Sequence, residues 1–196
     1  MYITVDIDNT VANTHLELVR RFGRGGVSVK EYPAPEIPPE YFLSSEGMRL
    51  FQEVEPFPGA AGALKLFSDL GYHIAYLSSR PVNALFITTR WLKKHGFPVD
   101  QVFCGLDRNG KIDAIKNKLR AVAVFEDDPG MAKQAIANGV PALWLKDWPY
   151  NRKLPPVKVT ALIAERVIRF KSWTEVQKAV VTSNPDLATQ VRHEEE

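Results

Sequence analysis

Apolar and polar positions follow two periods along most of this chain. Short apolar runs at 2–5, 74–77, 102–104, 121–125 and 142–145 have the length of strands. Segments 60–70, 83–95, 111–118 and 131–138 carry apolar residues at three- and four-residue spacing and read as helices. Strand and helix in turn is the order of βαβ units. Gly71, Gly96 and Gly139 stand just past three of these helices, where a left-handed C-terminal cap favours glycine. A strand follows each within a few residues. Crossovers of this kind predict an α/β fold with a parallel, right-handed, doubly wound sheet, Rossmann-like in plan.

Two stretches break the alternation. Residues 13–58 are too many for a loop, and Pro33, Pro35, Pro38 and Pro39 divide a helical pattern at 14–22 from another at 41–52. The segment reads as a small inserted helical cap that leaves the core at 1–12 and returns to it at 59–181. Glu55-Pro56-Phe57-Pro58-Gly59 brings the chain back. At the other end, 166–170 alternates like a strand and 173–181 like a helix. These predict an added edge element, followed by a flexible tail at 182–196.

Composition narrows the class. With 196 residues, 45% hydrophobic and 24% charged, the chain can bury one full core and a small accessory unit. No apolar run has the length of a bilayer span, and the first strand starts at Tyr2, so the reading is a cytoplasmic protein without membrane contact. A single cysteine, Cys104, leaves no internal disulfide and reads as a buried or half-buried thiol. The net charge of +2 is too small to predict a polynucleotide partner. Seven Lys or Arg against two acids between Lys146 and Lys171 read as a solvated face or as a basic rim suited to an anionic substrate.

Candidate chemistry starts at the end of the first apolar run. Asp6 and Asp8 lie at i and i+2, and such side chains point to one side of a strand. Acids where a parallel strand leaves the sheet sit in the crevice where open α/β sheets bind ligands. A pair of this kind can divide nucleophilic and acid/base work. Ser78-Ser79-Arg80-Pro81 follows the second strand and offers either a phosphate ligand or a helix N-cap. Lys111, after Arg108-Asn109-Gly110, can reach a phosphate near the strand ends or face solvent. Glu126-Asp127-Asp128-Pro129 follows the fourth strand. Acids there can cap a helix, which suits Asp128. Two acidic clusters converging on one sheet edge would repel unless a cation lay between them, and clustered hard oxygens suit Mg²⁺.

Asp6-Ile7-Asp8-Asn9-Thr10 resembles the nucleophile motif of the haloacid dehalogenase (HAD) superfamily, and Ser78, Lys111 and Glu126-Asp127 match its later motifs in order. Segments 51–63, 77–80, 125–128, 148–152 and 166–173 are similar to stretches of the 5'(3')-deoxyribonucleotidases and related bacterial nucleotidases. The resemblance spans about residues 2 to 180 and aligns the cap, of the first cap class, only by position and size.

That resemblance implies Asp6 as nucleophile and Asp8 as acid/base in a phosphomonoester hydrolase that forms an aspartyl-phosphate. It implies Ser78, Ser79, Lys111 and Ile7 as phosphate-binding residues, and Mg²⁺ held by Asp6, Asp8 through its main-chain carbonyl, Asp127 and Glu126. Thr10, Arg80, Asn151, Tyr41 and Phe42 stand as candidate supporting or substrate residues, with Tyr32 and Phe51 further ring candidates in the cap and His15 one turn beyond the nucleophile loop. The aromatics serve equally as the cap's own core. The implied substrate is a small phosphorylated molecule, a nucleoside monophosphate first and a sugar phosphate or other phosphomonoester as the competitor. A non-catalytic relative, or a receiver-type phosphoacceptor, is the alternative of a different class. Neither the oligomeric state nor any movement of the cap is legible.

Overall fold

The computed structural model describes residues 1–23, 30–31, 33–154 and 167–184. Tyr32 and the tail from 185 onward, both singled out above, lie outside the described residues. Six strands form one fully parallel sheet: β1 (Tyr2–Val5), β2 (His73–Leu77), β3 (Gln101–Phe103), β4 (Ala123–Glu126), β5 (Leu143–Lys146) and β6 (Val167–Phe170), in the order β3-β2-β1-β4-β5-β6. The expected strands are all present, shifted by at most two residues at an end. The added C-terminal segment supplies β6, which pairs with β5 in register Trp144↔Ile168.

The sheet is covered on both faces, and the period of two along each strand decides which residue faces which helix. Ile74 and Tyr76 join Ile3, Val5 and Phe125 in one cluster with α3 (Ala60–Asp69), α4 (Leu85–Lys94) and α7 (Trp173–Ser183). Ala75 and Leu77 join Val124, Leu143 and Leu145 against α5 (Arg108–Asp113), its π-helical continuation Ala114–Lys118, and α6 (Pro129–Ala137). On the first face Phe125 stacks between Trp144 and Trp173, with ring centroids at 5.4 and 5.1 Å. Gly71, Gly96 and Gly139 have φ of 85°, 74° and 70°, the left-handed turn expected after α3, α4 and α6.

Residues 13–58 contribute α1 (Thr14–Phe22), a 3₁₀ turn at Pro39–Leu43 and α2 (Ser45–Glu53), capped by Ser44, whose hydroxyl accepts from Gly47 N. The second helical pattern, expected over 41–52, is thus a 3₁₀ turn and a helix, because Ser44 interrupts it with extended backbone. Leu18, Ile37, Leu50 and Phe51 gather in a separate small cluster that meets the rest of the molecule at Ala84 of the α4 approach. The expected tail boundary at 181 falls inside α7, which continues to Ser183. Among the described residues no helix is long and apolar enough to cross a membrane.

Candidate active site

β1 lies between β2 and β4, so the loops leaving these three strands meet at one edge of the sheet. The loop after β1 is tight. Ile7 carbonyl accepts from the N–H groups of Thr10, Val11 and Ala12, and Asn9 takes a left-handed φ of 63°, which a short amide side chain tolerates. Ile7 itself is wholly buried. Two tryptophans from distant segments hold the loop from outside: Trp148 Nε1 donates to Asn9 carbonyl and Trp173 Nε1 to Thr10 carbonyl, each at 2.9 Å.

Within this frame Asp6, Glu126 and Asp127 bring one carboxylate oxygen each to within 4.8 Å of one another. Lys111, from α5, reaches into the same cluster. Its Nζ donates to Asp6 Oδ1 at 2.5 Å and to Glu126 Oε1 at 3.1 Å. A lysine that its sequence neighbourhood leaves free to face solvent is therefore buried. Burial pulls its pKa down, but the charges of Asp6 and Glu126 outweigh that and raise it. Burial likewise pushes Glu126 well above the usual carboxylate range, and the Asp6 charge adds to it. Asp127 is raised well above that range by the same two causes. Asp6 is raised by burial against the opposing pull of Lys111. One cation among three close carboxylates leaves the cluster short of positive charge, and its donors are hard oxygens. The residues present fit a divalent cation of the Mg²⁺ type.

Asp8 is treated differently. Its Oδ2 accepts from Arg80 Nε and its Oδ1 from Arg80 Nη2, both at 2.9 Å, and Thr14 Oγ1 donates to Oδ1 at 2.6 Å. Burial alone pushes this carboxyl up, but the Arg80 charge and these hydrogen bonds hold it below the ordinary value. The two acids of one short motif thus sit in opposite environments, an arrangement that assigns different roles to paired carboxylates.

Ser78 is buried at the end of β2, and its Oγ accepts from Arg80 N at 3.0 Å, closing a local turn instead of capping a helix. α4 begins only at Leu85, after a 3₁₀ turn at Val82–Ala84. Ser79 is exposed, and its hydroxyl donates to Leu106 carbonyl. Thr10 Oγ1 donates to Asp127 Oδ1 at 3.1 Å, and Asn151 Nδ2 donates to Asp127 carbonyl at 2.8 Å, so both meet the metal-type cluster. Asp128 caps α6 through Gly130 N and pairs with Arg108. Among the described residues the ring partners of Tyr41 and Phe42 are Phe22, Phe51 and each other, consistent with core packing of this segment. Cys104 is half-buried, and burial pushes its thiol up.

The basic stretch is not one solvated face. Arg152 and Arg169 pair with Asp147, but Lys146 is buried, donates to Lys171 carbonyl, and lies over the rings of Phe57 and Trp148 at 4.9 and 5.5 Å. Lys158 and Arg166 lie outside the described residues. Sequence reasoning also missed Tyr150, whose hydroxyl donates to Asp127 Oδ2, and the packing of Trp148 against His15 and Tyr150. One signal was available: these residues follow β5, the neighbour of β4, and so leave the sheet at the same edge.

Comparison with known proteins bears on the fold. A family model described as the PITM 1-3 LNS2 domain matches residues 42–136. A Bacillus cereus protein named "Putative nucleotidase" is 28% identical over 128 residues, covering 64% of this chain and 61% of that relative's length. Among solved structures, a D,D-heptose 1.7-bisphosphate phosphatase from B. bronchiseptica, complexed with magnesium and phosphate, aligns with TM-score 0.55 and 14% identity over 93% of this chain and 99% of its own. A HAD-superfamily hydrolase from Ehrlichia chaffeensis aligns with TM-score 0.53 and 12% identity over 92% and 96%. The chain has the fold of the HAD-superfamily hydrolases.

Proposed function

We propose that this chain is a Mg²⁺-dependent phosphomonoester hydrolase working through an aspartyl-phosphate, with a nucleoside monophosphate as the substrate class. The observation that carries the reading is the contrast between Asp6 and Asp8. Asp6 lies among Lys111, Glu126 and Asp127, where a phosphoryl group and a cation would share its carboxylate, whereas Asp8 stands apart on Arg80 and Thr14.

Asp6 attacks phosphorus in line, forming the Asp6–phosphorus bond as the ester bond to the leaving oxygen breaks. Asp8, held toward its ionised form by Arg80 and Thr14 until substrate binds, takes up a proton as the anionic phosphoryl group beside it favours the neutral carboxyl, and delivers that proton to the leaving oxygen. It then takes one from the water that attacks the aspartyl-phosphate and releases inorganic phosphate. Lys111 and Ser78 hold the phosphoryl oxygens, with the N–H groups around Ile7. Ser79, whose hydroxyl is engaged by Leu106, contributes through its main chain. Asp6, Glu126, Asp127 and the Asp8 carbonyl would hold the metal, which when bound neutralises charge on the transferring group. Thr10, Tyr150 and Asn151 keep Asp127 in place.

Residues 13–58 act as the inserted cap over a core formed by 1–12 and 59–181. The nucleotide preference draws support from the name of the Bacillus relative. The test is hydrolysis of p-nitrophenyl phosphate with and without Mg²⁺, followed by a screen of ribo- and deoxyribonucleoside monophosphates against sugar phosphates. Absence of Mg²⁺-dependent hydrolysis would sink the phosphatase reading. Turnover of sugar phosphates alone would move the substrate to the competing class.

A further inference from the structure

Arg80 is a buried cation at this sheet edge to which the reaction just described assigns no step. Its side chain has no exposed surface. All three guanidinium nitrogens donate: Nε and Nη2 to the two oxygens of Asp8, and Nη1 to Thr88 Oγ1 at 3.3 Å. One face of the fork lies over the Phe51 ring at 4.4 Å, and the Trp91 ring stands at 5.8 Å. A guanidinium so enclosed has neither a free edge nor a free face for a substrate phosphate. Its bidentate bond does something else, fixing the plane of the Asp8 carboxylate in a way a point charge does not. The Asp8 side chain keeps 29% of its surface exposed, so one edge of that fixed plane stays open.

Phe51 belongs to α2 and Thr14 to α1, so the 13–58 segment touches Asp8 twice, once directly and once through Arg80. We propose that Arg80 is a positioning residue for Asp8, aiming its carboxylate at the leaving-group oxygen, and that Phe51 holds the guanidinium in that pose. The proposal rests on the phosphatase reading above. It accounts for the burial of an arginine beside the site, and it ties leaving-group protonation to the seating of the 13–58 segment.

The experiment compares kcat/KM, which covers only the steps up to aspartyl-phosphate formation, for an alkyl phosphate and for 2,4-dinitrophenyl phosphate, with Mg²⁺ present. An alkyl leaving group needs the proton and a dinitrophenolate does not. Arg80→Ala is expected to lower kcat/KM for the alkyl ester by about 100-fold, the lower end of what a positioned general acid contributes, and for the aryl ester at least tenfold less. Arg80→Lys keeps the charge but not the fork and should show the same selectivity. Phe51→Leu should show it to a smaller degree.

In an Asp8→Asn background, adding Arg80→Ala should leave the residual alkyl rate where it was, since the effect runs through that carboxylate. Matched losses on the two esters, or a second independent loss in the Asp8→Asn background, overturn the role given to Arg80. Melting curves of the variants exclude misfolding, and if Arg80→Ala does not fold, Arg80→Lys and Phe51→Leu carry the comparison. A wild-type chain inactive on both esters overturns the phosphatase reading and this proposal with it, whereas wild-type activity with matched losses overturns the proposal alone.

Discussion

Replacing Asp127 by Asn tests the electrostatics of the site without relying on turnover. The carboxylates of Asp6, Glu126 and Asp127 approach within 4.8 Å. At an effective dielectric of about 20, each fully ionised pair at that distance repels by about 3.5 kcal/mol. Asp127→Asn removes two of the three repulsions. It also forfeits attraction to Lys111, and the raised carboxyls already relieve part of the strain by taking up protons, so the net gain to the metal-free protein is about 1–2 kcal/mol. An amide keeps the bond from Thr10 and can donate to the Tyr150 oxygen, so packing changes little. For a chain of this size the gain is an increase in Tm of about 2–8 °C.

Saturating Mg²⁺ at about 100 times its Kd stabilises the wild type by about 2.7 kcal/mol. The variant, short of a ligand, gains far less. The order of the two melting curves in EDTA therefore reverses in Mg²⁺. pH adds a second arm. Asp6, Glu126 and Asp127 keep their protons to higher pH folded than unfolded, through burial first and mutual repulsion second. Their contribution to metal-free stability is full below the unfolded carboxylate range of about 4 and is lost as pH rises through the raised folded values. The Mg²⁺ shift should therefore grow with pH over that window. An Asp127→Asn protein that melts below wild type in EDTA, yet shifts as far as wild type in Mg²⁺, refutes the reasoning.

Four further outcomes follow from the same contacts. Asp6→Asn should abolish phosphate release and Asp8→Asn remove nearly all of it, measured with a coupled phosphate assay; near-normal rates in either variant contradict the assigned roles. Lys111→Met should cut kcat/KM about 10²- to 10³-fold, the scale of losing a preorganised charge at a developing oxyanion. Asn151→Ala strips hydrogen bonds from the carbonyls of Asp127 and Lys146 and from Arg169, and should cost about 2–4 kcal/mol in urea unfolding, with weaker Mg²⁺ binding by calorimetry. Trp173→Phe keeps the ring against Phe125 but loses the bond to Thr10 carbonyl, and should cost about 1–2 kcal/mol in the same measurement.

Five strands, four crossover helices and the added β6 were legible before any coordinates, because their signals are local. A strand's alternation, a helix's three- and four-residue spacing and a glycine after a helix end each report on a few neighbouring residues. Asp6, Ser78 and Glu126-Asp127 were legible for a related reason: in a parallel α/β sheet every strand delivers its C-terminal end to the same edge, so position along the chain implies meeting in space, whereas Lys111, on α5, was singled out only by the family resemblance. Lys146 shows where that logic stops. Its burial comes from Phe57 and Trp148, far away and next but one in sequence, and nothing in the run of basic residues announces it.

Sequence by itself determined the fold class, the edge of the sheet where acids, serine and lysine gather, and the pairing of Asp6 with Asp8. Only the tertiary structure decided that these two carboxylates have opposite surroundings. Asp6 shares a buried cluster with Lys111, Glu126 and Asp127, while Asp8 is held by Arg80 from 72 residues away and by Thr14. The physical reason is that a carboxylate's ionisation and orientation depend on the charges and donors within a few ångströms, and those arrive from segments whose separation in the chain carries no record of their distance in the fold.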